Sequence, residues 1–198
     1  MLFVKKERLI LGEACIKEEL SDSEGVILLK INLKCPKINA KKREPLSVFA
    51  KNFYSDLINA FAEYAKTELL KAAREKYSES TEGFLPFAAV MNYRVTRFDE
   101  RFLSVVIDIS VSDGAGNISH ERKTQVWERS FGTKCRHTCL INDKVLDEYL
   151  LQSFSKKEIK RIDRELFALT DNGFELYIRR GSEYTSVCVH YEKIEAKF

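Results

Sequence analysis

The stretch VMNYRVTRFDERFLSVVIDISVSDGAGNIS, residues 90–119, predicts the class of the fold. Apolar residues occupy every second position in residues 89–95 and again in residues 103–111, with mostly polar residues between them. This period of two is typical of β-strands with one buried face. Residues 98–101 form a short link, so the two runs are predicted to pair as an antiparallel hairpin. The next turn, residues 113–117, contains two glycines and leads into a third strand.

Upstream of this hairpin the sequence predicts strands and a long helix. Residues 2–20 mix apolar and charged side chains and are expected to hold one or two strands. Residues 27–35 alternate, and Pro36 is predicted to end that strand because proline donates no hydrogen bond to a ladder. A helix is predicted from Pro45 to about Tyr77, a length of about 48 Å. Its predicted core stripe consists of Leu46, Phe49, Phe53, Leu57, Phe61, Tyr64 and Leu69.

The C-terminal half is predicted to contain further strands and a helical region. The predicted strands cover residues 118–130, 134–141, 174–178 and 187–191, and the helical region covers residues 142–169. Gly132 marks a turn between the first two of these strands. Ser155 followed by Glu158 predicts a capping box at a helix start inside the helical region.

These elements predict an α+β fold with an antiparallel sheet of about five to seven strands. The sheet is expected to pack on one long amphipathic helix and one or two short helices. No internal repeat and no linker-like stretch divides the 198 residues, so we expect a single domain over residues 1–198. Residues 1–77 would supply the N-terminal strands and the long helix, and residues 84–198 the strand-rich part.

The composition excludes several classes of function. The chain has 33 Lys and Arg against 30 Asp and Glu, a net charge of +3. This balance gives no strong field for nucleic acid, so we expect no nucleic-acid partner. The N-terminal residues lack the apolar run of a signal peptide, and no stretch approaches the roughly 18 apolar residues of a membrane span. We therefore expect a cytoplasmic protein whose five cysteines are reduced thiols.

Cys135, His137 and Cys139 form the only spacing that suggests a metal site. On a strand the three side chains would share a face, but Cys135 and Cys139 would lie about 13 Å apart. Two sulfur ligands of one zinc ion cannot be more than about 4.6 Å apart. In a helix the two cysteines would align but His137 would point elsewhere, so only a loop would permit chelation, and the Cys-x-x-Cys knuckle is absent. We therefore predict no metal site.

Catalysis is not indicated by any local motif. No signature places a nucleophile beside its base, and no phosphate-binding loop is present. Gly114 and Gly116 lie between two strands and predict a hairpin turn, not a cofactor loop. No catalytic residue and no cofactor are assigned. A small hydrolase or cell-wall-related enzyme stays open as an alternative, with its site on the exposed sheet face near Cys188 and His190.

Five motifs follow one another in a recognisable order. They are VMNYRVTRFDERFLSVVIDISVSDGAG, QVWERSFGTK, CLINDKVL, NGFELYIRR and CVHYEKIE. Together they resemble the RsiV-like domain of unknown function, which occurs in the outer part of a lysozyme-sensing anti-sigma factor and beside a peptidoglycan deacetylase domain. The matching positions are Tyr93, Ser104, Gly114, Ala115, Trp127, Glu128, Gly132 and Asp143. The resemblance implies an α+β fold.

Some positions depart from the pattern of that family. Asp113 stands where the family has the first glycine of its turn, and Gly116 stands where the family has a histidine. Glu128 replaces an aspartate. The resembling family is usually extracytoplasmic, which contrasts with the compartment expected for this chain.

The leading hypothesis is a non-enzymatic domain that binds or senses a protein or glycan partner through loops carried by a sheet. The predicted loops are residues 113–117 and 180–185, the second with Tyr184 as an exposed aromatic side chain. Trp127 is interpreted either as a core residue or as a binding anchor. The predicted binding residues are Asp113, Gly114, Asn117, Trp127, Arg180 and Tyr184. A purely structural or oligomeric module is a third possibility, and the sequence predicts no oligomeric state.

Overall fold

The computed structural model describes residues 10–39, 45–79, 81–181 and 183–193, and it confirms the predicted α+β class. The strands are β1 (Ile10–Ser21), β2 (Ile27–Asn39), β3 (Phe87–Phe98), β4 (Phe102–Ser112), β5 (Ile118–Glu128), β6 (Thr133–Lys134), β7 (Phe167–Leu169), β8 (Gly173–Arg180) and β9 (Glu183–His190). The α-helices are α1 (Pro45–Tyr64), α2 (Leu70–Glu79), α3 (Asp143–Leu150) and α4 (Lys156–Ile159). Residues 2–9 of the predicted N-terminal strand segment lie outside the described residues.

The described strands form two sheets. The first has six strands in the order β1-β2-β3-β4-β5-β6, and the second has three in the order β7-β8-β9. The pairs β1–β2, β5–β6, β7–β8 and β8–β9 are antiparallel. β2 and β3 are parallel because the long helix between them carries the chain back to the end of the sheet at which β2 begins. The predicted antiparallel sheet is therefore a mixed sheet together with a second, separate sheet.

β2 continues through Pro36, so the prediction that this proline ends the strand is wrong. The parallel pairing of β2 with β3 runs from Leu29 to Leu33 on β2. Pro36 lies beyond that stretch and pairs with Glu13 of β1. A residue without an N–H group is tolerated where a strand has a neighbour on one side only.

The buried face of the long helix differs from the predicted aromatic stripe. Phe49 is 57% exposed and Tyr64 is 44% exposed. The residues buried on this helix are Leu46, Ala50, Tyr54, Ile58, Ala62, Ala65, Leu69 and Ala73. They recur every three or four residues, and the alanines among them let the helix backbone approach the sheet closely. The core prediction is therefore wrong for Phe49 and Tyr64, and Phe53, Leu57 and Phe61 are half-buried.

A π-helical turn, Ala65–Leu69, joins α1 to α2. Such a turn inserts one extra residue into a helix and is one of the recognised causes of a kink. Before this turn the buried side chains lie four residues apart, as far as Ala62. The next buried residue, Ala65, follows after three residues, and the spacing returns to four at Leu69. The regular helix is therefore interrupted at this turn.

Residues 134–141 do not form the predicted strand. β6 ends at Lys134, and a 3₁₀ turn, His137–Cys139, follows. The predicted helical region 142–169 contains α3 and α4 but ends in strand β7. The capping box is confirmed, because the Ser155 side chain accepts from Glu158 N and the Glu158 side chain accepts from Ser155 N.

The chain divides into two compact units. Unit 1 comprises the described residues of Met1–Tyr93 with Ile109–Ser119 and Arg129–Gly132. Unit 2 comprises Arg94–Asp108, His120–Glu128 and the described residues of Thr133–Phe198. β3, β4 and β5 each contribute residues to both units. None of the helices in the described residues combines the length and apolar character that a membrane span requires.

Unit 2 has an apolar core of its own. Its buried members are Phe102, Val126, Cys135, Leu140, Ile141, Leu146, Leu150, Ile159, Ile162, Phe167, Leu169, Phe174, Leu176, Ile178 and Val189. The core draws on strands of both sheets and on α3 and α4, so these short helices cover part of the unit.

Candidate binding site

The predicted turn at residues 113–117 is closed by its own aspartate. Asp113 Oδ1 accepts hydrogen bonds from the backbone N–H groups of Ala115 at 2.9 Å and Asn117 at 3.2 Å. Asp113 Oδ2 accepts from Asn117 Nδ2 at 2.8 Å and from Lys76 Nζ at 3.4 Å. The side-chain amide of Asn117, together with the other donors, lowers the pKa of Asp113 to about 2. Asp113 and Asn117 therefore stabilise the turn through contacts with each other.

Gly114 is required where this turn approaches Leu85. Its φ angle is +73°, and a Cβ atom at this position would lie 2.1 Å from the carbonyl oxygen of Leu85. Both the backbone conformation and the close approach demand glycine. The predicted role of Gly114 in a tight turn thus has a direct structural reason.

Trp127 lies in the interior. It is 6% exposed on β5 and pairs with Lys134 of β6. Of the two interpretations offered by the sequence, this burial matches the core residue. A partner that met unit 2 would contact the surface above this side chain and not the indole ring.

The second predicted loop joins β8 to β9. Arg180 pairs with Glu183 in the ladder, Gly181 has a φ angle of +64°, and both Arg180 and Glu183 are exposed. Ser182 lies outside the described residues. Tyr184 is half-buried, so the prediction that it is exposed is wrong. Its hydroxyl accepts a hydrogen bond from the backbone N–H of Arg122 at 3.2 Å, which holds the ring against β5.

Arg122 is held between two tyrosine rings. Its guanidinium carbon lies 4.7 Å from the ring centroid of Tyr177 and 5.2 Å from that of Tyr184. Arg122 Nε and Nη2 donate to the two carboxylate oxygens of Asp108 at 2.6 and 2.9 Å. Burial opposes the charge, but the bidentate bond to Asp108 holds the pKa of Arg122 above its ordinary value.

Arg94, Glu175 and Tyr177 form a second group beside Arg122. Arg94 Nη2 donates to Glu175 Oε2 at 3.0 Å and to the Tyr177 hydroxyl oxygen at 2.5 Å, and the Tyr177 hydroxyl donates to Glu175 Oε2 at 2.5 Å. Burial raises the pKa of Tyr177, so its hydroxyl stays protonated. Burial alone would raise the pKa of Glu175, but the hydrogen bonds from Tyr177 and Arg94 lower it. Glu175 is therefore a carboxylate at neutral pH.

These two groups make one site, which we name the arginine–tyrosine cluster. Its members are Arg94, Asp108, Arg122, Glu175, Tyr177 and Tyr184, and all six belong to unit 2. The side chains of Arg94 and Asp108 are 47% and 46% exposed, whereas those of Arg122 and Glu175 are 18% and 16% exposed. The cluster thus presents one guanidinium and one carboxylate to solvent above a layer of fixed partners.

Alternation along the strands explains how the cluster is built. Val106 and Asp108 lie two positions apart on β4 and therefore share a face. Val106 is buried with Tyr177 in a small apolar group beneath the cluster, and Tyr184 packs against that group. Of the six members, only Tyr184 was predicted as a binding residue from the sequence. The other five are Arg94, Asp108, Arg122, Glu175 and Tyr177. The available signal was a carboxylate and an arginine on the polar faces of two successive predicted strands.

The alternative site near Cys188 and His190 is less suited to catalysis. Both residues are exposed on β9, as expected, and Cys188 pairs with Glu175 of β8. Burial and then the charge of Glu175 raise the pKa of Cys188. A nucleophilic cysteine needs the opposite shift, because the thiolate is the reactive form.

His137, from the cysteine–histidine spacing noted in the sequence, occupies a polar site of its own. Its side chain is 8% exposed, with Nε2 3.0 Å from Asp143 Oδ1 and Nδ1 3.2 Å from Glu165 Oε1. Arg164 also donates to Asp143, at 2.6 Å, and this hydrogen bond, followed by His137, lowers the pKa of Asp143. Among the described residues, no group of three or more His, Cys, Asp or Glu side chains is arranged to hold a metal ion. The histidine ties the 3₁₀ turn to α3.

Two solved structures that resemble this chain in fold are both DUF3298 family proteins. A crystal structure of a DUF3298 family member from Bacteroides fragilis superposes with a TM-score of 0.62 at 11% identity, covering 96% of this chain and 93% of that chain. A DUF3298 family protein from Pseudomonas aeruginosa superposes with a TM-score of 0.58 at 11% identity, covering 96% and 95%. At this identity the likeness shows the fold, which is that of a domain of unknown function. No protein-family model matches the sequence, and no curated protein matches it.

Proposed function

We propose that this protein is a non-enzymatic binding or sensing domain for a protein or glycan partner, which it contacts at the arginine–tyrosine cluster. One observation carries the proposal: the Arg122 guanidinium is fixed by two tyrosine rings and a bidentate carboxylate, beside the half-exposed Arg94. Arginine and tyrosine dominate the energetics of protein interfaces when their partners hold them in place. Rings, carboxylates and guanidinium groups are also the groups that contact sugars.

The pairing of charges in the cluster favours binding over catalysis. Glu175 has a lowered pKa, whereas a general acid or base needs a pKa near the working pH. Arg122 and Asp108 neutralise each other at hydrogen-bonding distance. Two arginines balanced by two carboxylates also give no net positive footprint, which supports our expectation that nucleic acid is not the partner.

The predicted binding residues enter the proposal in two places. Arg180, at the end of β8, and Tyr184, near the start of β9, belong to unit 2 with the cluster. Asp113, Gly114 and Asn117 belong to unit 1 and are proposed as a separate contact, tested separately. Trp127 is proposed to act beneath the surface by fixing β5.

A retention experiment tests the cluster. The full chain is immobilised, and partners retained from a lysate of the source organism and from an array of glycans are identified for the wild type, Arg94→Ala, Tyr184→Ala and Arg161→Ala. Arg161 is exposed in unit 2 and lies outside the cluster, so it serves as the matched control. We expect Arg94→Ala and Tyr184→Ala to weaken the affinity for the retained partner by roughly thirtyfold, which is the scale of an interface hot spot.

Equal retention by all four proteins would contradict the proposal. Circular dichroism of each variant shows whether a loss of retention reflects unfolding. If Tyr184→Ala is unfolded, the retention by Arg94→Ala tests the proposal, because the Arg94 side chain is half-exposed and its removal should leave the fold intact. Retention from the glycan array alone would identify the partner as a glycan, and retention from the lysate alone would identify it as a protein.

The likeness to the RsiV-like domain and the cellular compartment are also proposals. We infer that the domain is RsiV-like, which the order of the motifs and the DUF3298 fold support. We also infer that it works in the cytoplasm, because its five cysteines are all free thiols, three of them exposed. Fractionation of cells that produce the tagged protein tests the compartment, and recovery outside the cytoplasm would contradict it.

A further inference from the structure

β1 is an edge strand of unusual length. It has 12 residues, and β2 is its sheet neighbour within the described part of the chain. Residues 11–21 are each half-buried or exposed. A long edge strand presents unpaired backbone N–H and C=O groups that can pair with another strand.

We propose that β1 pairs with β1 of a second copy of this chain, antiparallel and across a two-fold axis that passes beside Cys15. The occupant of the edge is therefore an identical strand. This surface lies in unit 1 and is independent of the binding site proposed above. Residues 10–20 of one copy would pair with residues 20–10 of the other.

Geometry limits the registers that such a pair can adopt. Residues directly opposite each other in a sheet point to the same face, and neighbours along a strand point to opposite faces. A two-fold axis between identical strands must therefore set one residue opposite itself. Each candidate register is defined by that central residue.

Charge selects the register centred on Cys15. It sets Glu13 opposite the partner's Lys17 and Lys17 opposite the partner's Glu13, so two ion pairs form across the axis. It sets Ala14 opposite the partner's Ile16. No like charges face each other, and all residues of the strand except Ser21 are paired. Opposite charges at directly facing positions stabilise a strand pair, and like charges destabilise it.

The other registers are poorer. A register centred on Ile16 sets Glu13 opposite the partner's Glu19 twice, and registers centred on Glu13, Lys17, Glu18 or Glu19 set like charges directly opposite. A register centred on Ala14 has no facing like charges but forms no ion pair and leaves residues 19–21 unpaired. The Cys15 register therefore combines the longest pairing with the most favourable charges.

The contacts of β1 within its own chain leave these side chains accessible. Glu18 Oε1 binds Lys66 Nζ at 2.7 Å on the face toward the helix. Cys15 is exposed on the opposite face, as are Glu13 and Lys17. Glu13 also lies 3.6 Å from Lys34 of β2 and accepts a hydrogen bond from the Tyr93 hydroxyl. Its side chain is still 46% exposed, so in the dimer its carboxylate would bridge two lysines.

Mass and crosslinking test the pairing. Light scattering of the full chain is expected to give twice the chain mass of 22.9 kDa. A Cys139→Ser, Cys188→Ser variant keeps Cys15 as its exposed cysteine among the described residues. Copper phenanthroline in air, with oxygen as the electron acceptor, should convert the two facing Cys15 thiols into an intermolecular disulfide. The matched Cys15→Ser variant should stay uncrosslinked.

The register is tested by moving the thiol. In the Cys15→Ser, Cys139→Ser, Cys188→Ser background, a mixture of Glu13→Cys and Lys17→Cys chains should form mixed dimers by oxidation. Glu13→Cys alone should not, because its two thiols would lie about 13 Å apart along the strand. In the wild-type background, Lys17→Glu should weaken the dimer roughly tenfold or more, and Glu13→Lys with Lys17→Glu should restore it.

Three results would overturn the proposal. They are a monomeric mass at every concentration tested, a dimer in which Cys15 does not crosslink, and a dimer whose stability is insensitive to Lys17→Glu. Each is measured on the folded full chain, whose circular dichroism must match the wild type. The loss of dimer in the Lys17→Glu variant leaves the partner-binding test of unit 2 unaffected, so the two proposals fail separately.

Discussion

Two glycines of the turn at residues 113–117 share a left-handed backbone but differ in their surroundings. Gly114 has a φ angle of +73° and lies against the Leu85 carbonyl, whereas Gly116 has a φ angle of +94° and open space within 4 Å of the point a Cβ atom would occupy. Gly116→Ala should lower the free energy of unfolding by about 1 to 2 kcal/mol, which is the cost of the conformation alone. Gly114→Ala should cost about 2 kcal/mol more, because a Cβ atom there would displace backbone. Urea unfolding of both variants measures the difference. Equal losses in the free energy of unfolding would show that the Leu85 backbone can move away from the added Cβ atom at no cost.

The same turn gives a prediction for pH dependence. The folded pKa of Asp113, about 2, lies below its ordinary value of 3.8. Its contribution to stability is therefore complete above about pH 4 and is lost as the pH falls toward 2. NMR titration should find the Asp113 midpoint near 2 in the wild type. Asn117→Ala should move it up toward 3.8, and Lys76→Gln should move it less, because the Asn117 amide is the largest cause of the shift. A midpoint unchanged in Asn117→Ala would contradict this account.

At the scale of elements, one hydroxyl links β4 to β7. Ser104 is fully buried, and its Oγ accepts hydrogen bonds from Leu169 N at 2.9 Å and from Thr96 Oγ1 at 2.8 Å. Ser104→Ala would leave the buried Leu169 N–H without an acceptor, so we expect a loss of about 2 kcal/mol in the free energy of unfolding. Ser110→Ala on the same strand is the control and should change stability by less than about 0.5 kcal/mol. Equal effects of the two substitutions, measured by chemical denaturation, would remove this role from Ser104.

Elements were predictable where the signal is local. The capping box joins Ser155 and Glu158 over three residues, and the apolar alternation that predicts β4 lies within a single strand, so both elements could be predicted from the sequence. The prediction that β4 has one buried face is wrong for residues 102–107, because Ser104 and Val106 are buried as well. The buried side of the long helix could not be predicted, because a pattern of hydrophobic residues gives most weight to large side chains such as Phe49. The sheet instead selects the face with Ala50 and Ala62, where small residues let the backbones come close. The parallel pairing of β2 with β3 likewise depends on how the helix crosses.

The candidate site was less predictable because its contacts are distant along the chain. Arg122 lies 14 residues from Asp108 and 62 residues from Tyr184, and His137 lies 28 residues from Glu165. No local pattern joins such pairs, so the sequence indicates polar strand faces but not which charges meet. Tyr184 could be chosen as an aromatic residue near a loop, but its packing on Arg122 required the structure.

At the scale of the whole molecule, two buried thiols report on whether the chain unfolds as one domain. Cys35 belongs to unit 1 and Cys135 to unit 2, and both are buried. Burial raises the pKa of Cys35 to about 12, and burial followed by the charge of Glu128 raises that of Cys135 to about 11. Both thiols should therefore resist alkylation in the folded protein, whereas the exposed Cys139 should react at once.

β3, β4 and β5 each contribute residues to both units. We therefore expect Cys35 and Cys135 to become reactive at the same urea concentration, as a single domain over residues 1–198 requires. Brief alkylation at each urea concentration, followed by mass spectrometry of the peptides, measures both thiols in one sample. Labelling of Cys139 should stay constant and serves as the internal control. Two separate midpoints would mean that the units are distinct folding domains, and the order of the midpoints would identify the less stable one.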